Sequence, residues 1–97
     1  MVSGNHGWAT IVKNLRRDLA VYGCKLNMAV EDDYGMPVFS ASPSENQEIV
    51  NKILDRARDI AMETCSICGE YGELSFRVTP PASGIRCDKH RGDWQTL

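Results

Sequence analysis

The sequence predicts an α+β domain: helix, β-hairpin, helix, then a treble-clef-like zinc knuckle. Three observations carry that reading. An apolar period of 3.6 opens the chain and returns in its middle, a period of two runs between them, and Cys65, Cys68, Cys87 and His90 close it as two pairs, each with two intervening residues. Residues 1–64 read as a helix–hairpin–helix core and 65–97 as a zinc-knuckle subdomain, one compact domain in all.

Trp8, Ile11, Val12, Leu15, Leu19 and Tyr22 share one helical face over residues 7–22. Lys13, Asn14, Arg16, Arg17 and Asp18 take the solvent side, and Gly23 suits the C′ position that ends a helix. From Lys25 the period changes. Leu26, Met28 and Val30 alternate with Lys25, Asn27 and Ala29, a half-buried strand. Glu31-Asp32-Asp33-Tyr34-Gly35 makes the turn, and Met36 to Ala41 returns as a second strand that Pro37 confines to an edge. Ser42-Pro43-Ser44-Glu45 then predicts a helix start, with Ser42 as N-cap, Pro43 as first helical residue and Glu45 completing a capping box. Ile49, Val50, Ile53, Leu54, Ala57, Ile60 and Ala61 give that helix its apolar stripe, up to Glu63. Glu73 to Val78 reads as a short strand and Thr79 to Gly84 as a surface loop. Ile85-Arg86 leads back to the second ligand pair, with room for only a brief helix after it.

The two ligand pairs are the strongest chemical signal. Soft thiolates with one imidazole suit Zn²⁺, and the x2 spacing lets both side chains of a pair converge on one tetrahedral ion. Gly69, just after the second cysteine, suits a tight knuckle with positive φ. The competing reading is a reduced CxxC, redox-active or inert. A redox pair normally opens a helix after a strand, whereas Cys65 follows a helical run. A closed four-ligand site leaves no open position for substrate, so the expected zinc is structural and assists a short chain with a modest core. The fourth cysteine, Cys24, reads as a small buried apolar residue.

Composition narrows the function classes. No apolar run approaches the roughly 18 residues of a membrane span, and Met1 to Trp8 has no signal-peptide character. With the zinc-type cysteine pattern, this places the chain in a reducing cytoplasm. No enzyme is expected. HNH-type nucleases share treble-clef units but need a general-base histidine, and once His90 is a ligand only His6 remains. No nucleophile elbow, phosphate loop or dinucleotide fingerprint occurs.

Charge is unevenly placed along a chain of formal net charge −2. Residues 1–30 carry four cations against Asp18, and residues 31–63 carry eight carboxylates against Lys52, Arg56 and Arg58. Asp55, Asp59 and Glu63 follow at i+4 on the second helix, about 6 Å apart along its axis, near the phosphate spacing of a nucleic-acid strand. With Glu31, Asp32 and Asp33 at the hairpin tip, they form a candidate surface for a basic groove. The plainer reading is a solvated helix face and a polar turn. Arg77, Arg86, Lys89 and Arg91 around the ligands form the candidate basic face of a nucleic-acid-binding zinc module.

The chain resembles a family of short, largely uncharacterised phage and prophage proteins. The resemblance spans residues 7–90 and rests on Gly7-Trp8 opening a helix, the Tyr34-Gly35 turn, Thr64-Cys65-Ser66-Ile67-Cys68-Gly69 and Cys87-Asp88-Lys89-His90. The family's turn is Lys-rich with paired glycines; Glu31-Asp32-Asp33 and a single Gly35 depart from it. The resemblance implies a phage context. A small acidic phage protein without catalytic residues suggests an inhibitor of host defence, anti-CRISPR-like, that binds a basic nucleic-acid-binding surface of a host protein or ribonucleoprotein complex through Glu31, Asp32, Asp33, Asp55, Asp59 and Glu63. The alternatives are a zinc module that itself binds DNA or RNA, and a phage structural or regulatory protein.

Overall fold

The computed structural model describes residues 6–96, without the side chain of His6, so His6 as a candidate base lies outside what is described. A 3-10 turn, His6–Trp8, leads into α1 (Ala9–Ala20). The hairpin β1 (Leu26–Glu31) and β2 (Pro37–Ala41) follows, then α2 (Gln47–Ala61). After the knuckle come β3 (Glu73–Arg77), β4 (Ala82–Arg86), the short α3 (Asp88–Arg91) and the two-residue β5 (Gln95–Thr96). β1 and β2 pair antiparallel as one sheet, and the second sheet has the order β4-β3-β5. The fold is α+β, with a hairpin and a C-terminal Cys3His cluster.

The first helix ends as its sequence predicts. Gly23 takes φ 65°, its N–H donates to Ala20 O at 3.0 Å, and the Cys24 N–H reaches back to Leu19 O at 3.0 Å. Those are the paired bonds of a Schellman ending, which satisfy carbonyls the last turn would leave unpaired. The α1 face then packs as Leu15 and Leu19 against Cys24, Val50 and Ala57. Cys24 is buried there and also donates its thiol to Ser42 O at 3.0 Å.

Two local expectations change in the first half of the chain. The strand alternation breaks at a bulge between Leu26 and Met28, so Ala29 is buried while Met28 is 44% exposed. One extra residue reverses which side chains face the core, because the strand period is two. The second helix also begins later than Ser42-Pro43-Ser44-Glu45 suggests, at Gln47. Ser42 is occupied in closing the hairpin: its N–H donates to Lys25 O at 2.8 Å and its hydroxyl accepts from the Lys25 N–H at 3.0 Å. Ser44 and Gln47 take over the capping exchange. Gln47 Oε1 accepts from the Ser44 N–H at 3.3 Å, and Ser44 Oγ accepts from the Asn46 N–H at 3.1 Å.

A second apolar cluster joins the chain's two ends. Trp8, Ala61 and Ile85 are buried together, with Ile11, Phe39, Met62 and Leu74 against them. Trp8 meets Phe39 edge to face at 6.3 Å between ring centres, and its indole N–H donates to Thr64 O at 2.9 Å. Trp8 therefore ties α1, the hairpin and the segment entering the knuckle in one contact set.

Candidate metal centre

The knuckle is built from backbone. Beyond α2 the chain turns through Thr64, whose bridge to Tyr71 starts the C-terminal unit. The Cys65 N–H donates to Glu70 O at 2.8 Å, and the Gly69 N–H returns to Cys65 O at 2.9 Å with Gly69 at φ 86°. That loop brings Cys65 and Cys68 to one side. Cys87 stands at the start of α3, whose His90 and Arg91 N–H groups both donate to Cys87 O, at 3.1 and 2.9 Å. One helical turn thus puts His90 beside Cys87.

The four donor atoms of Cys65, Cys68, Cys87 and His90 all lie within 4.8 Å of one another, close enough to hold one metal ion. Cys68 Sγ is 3.5 Å from Cys87 Sγ, and His90 Nδ1 is 3.2 Å from Cys87 Sγ and 3.7 Å from Cys65 Sγ. A tetrahedral ion with bonds of about 2.3 Å to sulfur and 2.0–2.1 Å to nitrogen sets donors about 3.6–3.8 Å apart. The cluster therefore has the size of such a shell, with Nδ1 as the imidazole donor. Cys65 and Cys87 are buried and Cys68 is exposed.

The surroundings prepare one thiolate more than its neighbour. Burial pushes the Cys65 thiol up, but hydrogen bonding from the backbone of Cys68, Cys87 and Ile67 outweighs it and brings the group down to about 6. At Cys68 the backbone of Glu70 pulls downward. Desolvation by the neighbouring protein, the thiols of Cys87 and Cys65 and the charge on Cys65 together outweigh it, so this thiol is raised. A metal must displace the Cys68 proton at neutral pH, and below about pH 6 a proton on Cys65 competes as well. Metal affinity is expected to fall with falling pH, by about tenfold per unit for each proton displaced, and more steeply below about pH 6. Metal release to a chromogenic chelator across a pH series measures it.

Of the four basic residues near the ligands, the three arginines have internal partners, and Lys89 is exposed. Arg86 donates to Ser66 Oγ and to Ile85 O, lies 4.0 Å from a Glu31 carboxylate oxygen, and stacks over Trp94 at 5.2 Å. Arg77 approaches the same indole at 5.7 Å. Arg91 contacts Ser75 Oγ at 3.2 Å and Asp88 at 2.7 Å. Trp94 and the tie from Arg86 to Ser66 escape the sequence reading, because their partners are distant in the chain.

The six acidic residues divide. Glu31 faces Arg86, and Asp32 Oδ1 accepts from the Tyr34 and Met36 N–H groups at 2.8 and 2.9 Å, so both serve the fold. The hairpin tip is also docked: Ser83 Oγ donates to Tyr34 O. Asp33, Asp55, Asp59 and Glu63 are exposed, and none has an ion-pair partner among the described residues. No helix is long and apolar enough to cross a membrane among the described residues. Comparison with known protein families, curated proteins and solved structures gives no match.

Proposed function

We propose that this chain is a non-enzymatic binding protein whose Cys65, Cys68, Cys87 and His90 hold a structural zinc ion, and whose α2 carboxylates occupy a basic, nucleic-acid-binding surface of a partner. One contrast carries the reading: the arginines around the ligands are engaged within the fold, whereas Asp55, Asp59 and Glu63 stand exposed and unpaired among the described residues. Three thiolates and an imidazole fill a four-coordinate zinc shell, so the ion supplies folding energy and no chemistry on substrate. The phage resemblance makes an RNA-guided host-defence complex the partner class to try first, because such complexes hold nucleic acid in basic channels.

The purified chain is expected not to retard duplex DNA, yet to displace labelled DNA from such a complex, less effectively as salt rises. Changing Asp55→Lys and Asp59→Lys together should weaken displacement at least about tenfold with the circular dichroism spectrum unchanged. A chain that itself retards duplex DNA, and stops doing so with Lys89→Ala and Arg91→Ala, contradicts the proposal and favours the nucleic-acid-binding module.

A further inference from the structure

The exposed side of α2 carries more than carboxylates. At about 100° per residue, Ile53, Ile60, Ile49, Arg56, Lys52 and Asp59 fall in that order within about 120° of arc, and Glu63 follows in the turn two residues past the end of α2. Ile49 and Ile60 are 41% and 47% exposed, and Ile53 is only partly covered. Ile53 and Ile60 border a groove of about 460 Å³ between α1 and α2, lined also by Ile11, Leu15 and Ala57. A second depression adjoins it, past Asp59 to Met62 and Glu63. Among the described residues, Lys52, Arg56, Asp59 and Glu63 have no ion-pair partner.

The order of those four charges is the informative point. Reading along the helix and into the turn that follows it, the order is two cations, Lys52 and Arg56, then two anions, Asp59 and Glu63, each pair at a spacing of four. Turned end for end, the pattern is its own complement. An antiparallel pair of such helices sets Lys52 against Glu63 of the second copy and Arg56 against its Asp59, twice over. Both contacts occur in one register because the two sequence spacings are equal: Lys52 to Arg56 spans about 6 Å of helical rise, and Asp59 to Glu63 runs from the last turn of α2 into the tight turn where the Glu63 N–H donates to Ile60 O. The same register brings Ile60 of one copy within about 3 Å, along the axis, of Ile53 of the other. An apolar seam flanked by complementary charge is what selects partner and orientation when helices pair.

We propose that two copies of this chain associate through α2, antiparallel, with the isoleucine seam covered and the four charges paired across a two-fold axis. Such an interface is isologous, the same patch serving both copies. The proposal goes beyond the function argued above. It also limits that reading: Asp59 and Glu63 pair across the dimer, so of the carboxylates named there only Asp55, with Glu48 on the adjoining line of the helix, faces a partner in the dimer, and Asp59 and Glu63 do so in the separated chain.

Sedimentation velocity over a concentration series tests it. The wild type should be dimeric by about 100 μM and dissociate more readily as salt is raised. Lys52→Glu with Arg56→Glu in one chain, and Asp59→Lys with Glu63→Lys in another, should each raise the dissociation constant at least about tenfold while remaining folded by circular dichroism. Mixed one to one, the two variants should recover a dimer containing one of each. A wild type that stays monomeric, variants that dimerise like the wild type, or a mixture no more associated than its components would each overturn the proposal. Failure here is separable from failure of the functional reading, because Lys52→Glu with Arg56→Glu adds carboxylates to α2 and should not weaken DNA displacement.

Discussion

Losing the metal is expected to unfold the C-terminal unit, from the knuckle through β5, and to loosen the start of α1. The C-terminal unit has few apolar resources of its own. Ile85 is fully buried and Leu74 partly so, and both pack on Trp8 and Ala61, from before α1 and the end of α2. Two- and five-residue strands with a four-residue helix do not bury enough apolar surface to offset their ordering entropy. Zinc binding to small modules is worth about 10–16 kcal/mol at neutral pH, comparable with the whole stability of an ordinary domain at about 5–15 kcal/mol. Cys65→Ser, or a strong chelator, should therefore abolish amide protection through residues 64–96. The cluster of Leu15, Leu19, Cys24, Val50 and Ala57 should keep a weaker transition of its own. Hydrogen exchange on the loaded and chelated protein measures both effects.

Gly7→Ala should be among the most damaging single substitutions outside the ligands. A Cβ at Gly7 would overlap the carbonyl oxygen of Cys65 and sit 2.7 Å from the Ser66 carbonyl carbon and 2.8 Å from the Gly69 nitrogen. All three are backbone atoms of the knuckle, so no rotamer change relieves them, and the N-terminal turn must lift away. Lifting breaks the Gly7 N–H bond to Ser66 O at 3.1 Å and the indole bond to Thr64 O at 2.9 Å. It also uncovers Trp8, now 2% exposed. Loss of a buried tryptophan's packing costs about 3–5 kcal/mol. At about 4–8 °C per kcal/mol for a chain of this size, the midpoint of thermal unfolding should drop by at least about 12 °C. Gly23→Ala is the control. Gly23, unlike Gly7, has positive φ, but nothing lies within 4 Å of a Cβ there, so only backbone strain of about 1–2 kcal/mol is expected.

What the sequence discloses here is whatever depends on near neighbours. Periodicity finds α1, α2 and the β1–β2 hairpin, and the Cys-x-x-Cys and Cys-x-x-His pairs find a cluster whose donors do converge. Features decided by distant partners stay hidden. Ser42 looks like an N-cap until Lys25 claims both its hydroxyl and its N–H. Ala82, Ser83 and Gly84 look like loop, since small residues have little strand preference, yet β3 pairs with them in full register. The bulge after Leu26 reverses the strand's faces with no glycine to announce it. Charge misleads most. Glu31 and Asp32 count toward an acidic block in sequence, but in the fold they face Arg86 and the turn's own N–H groups. Arg77 and Arg86, which a residue count offers to phosphate, are stacked on Trp94.

Native mass spectrometry of protein purified without added metal is the most direct test of the account. It predicts one zinc ion per chain in the wild type, and none in Cys87→Ser, whose C-terminal strands then exchange freely. A metal-free wild type that keeps those strands protected and is indifferent to chelator would contradict it.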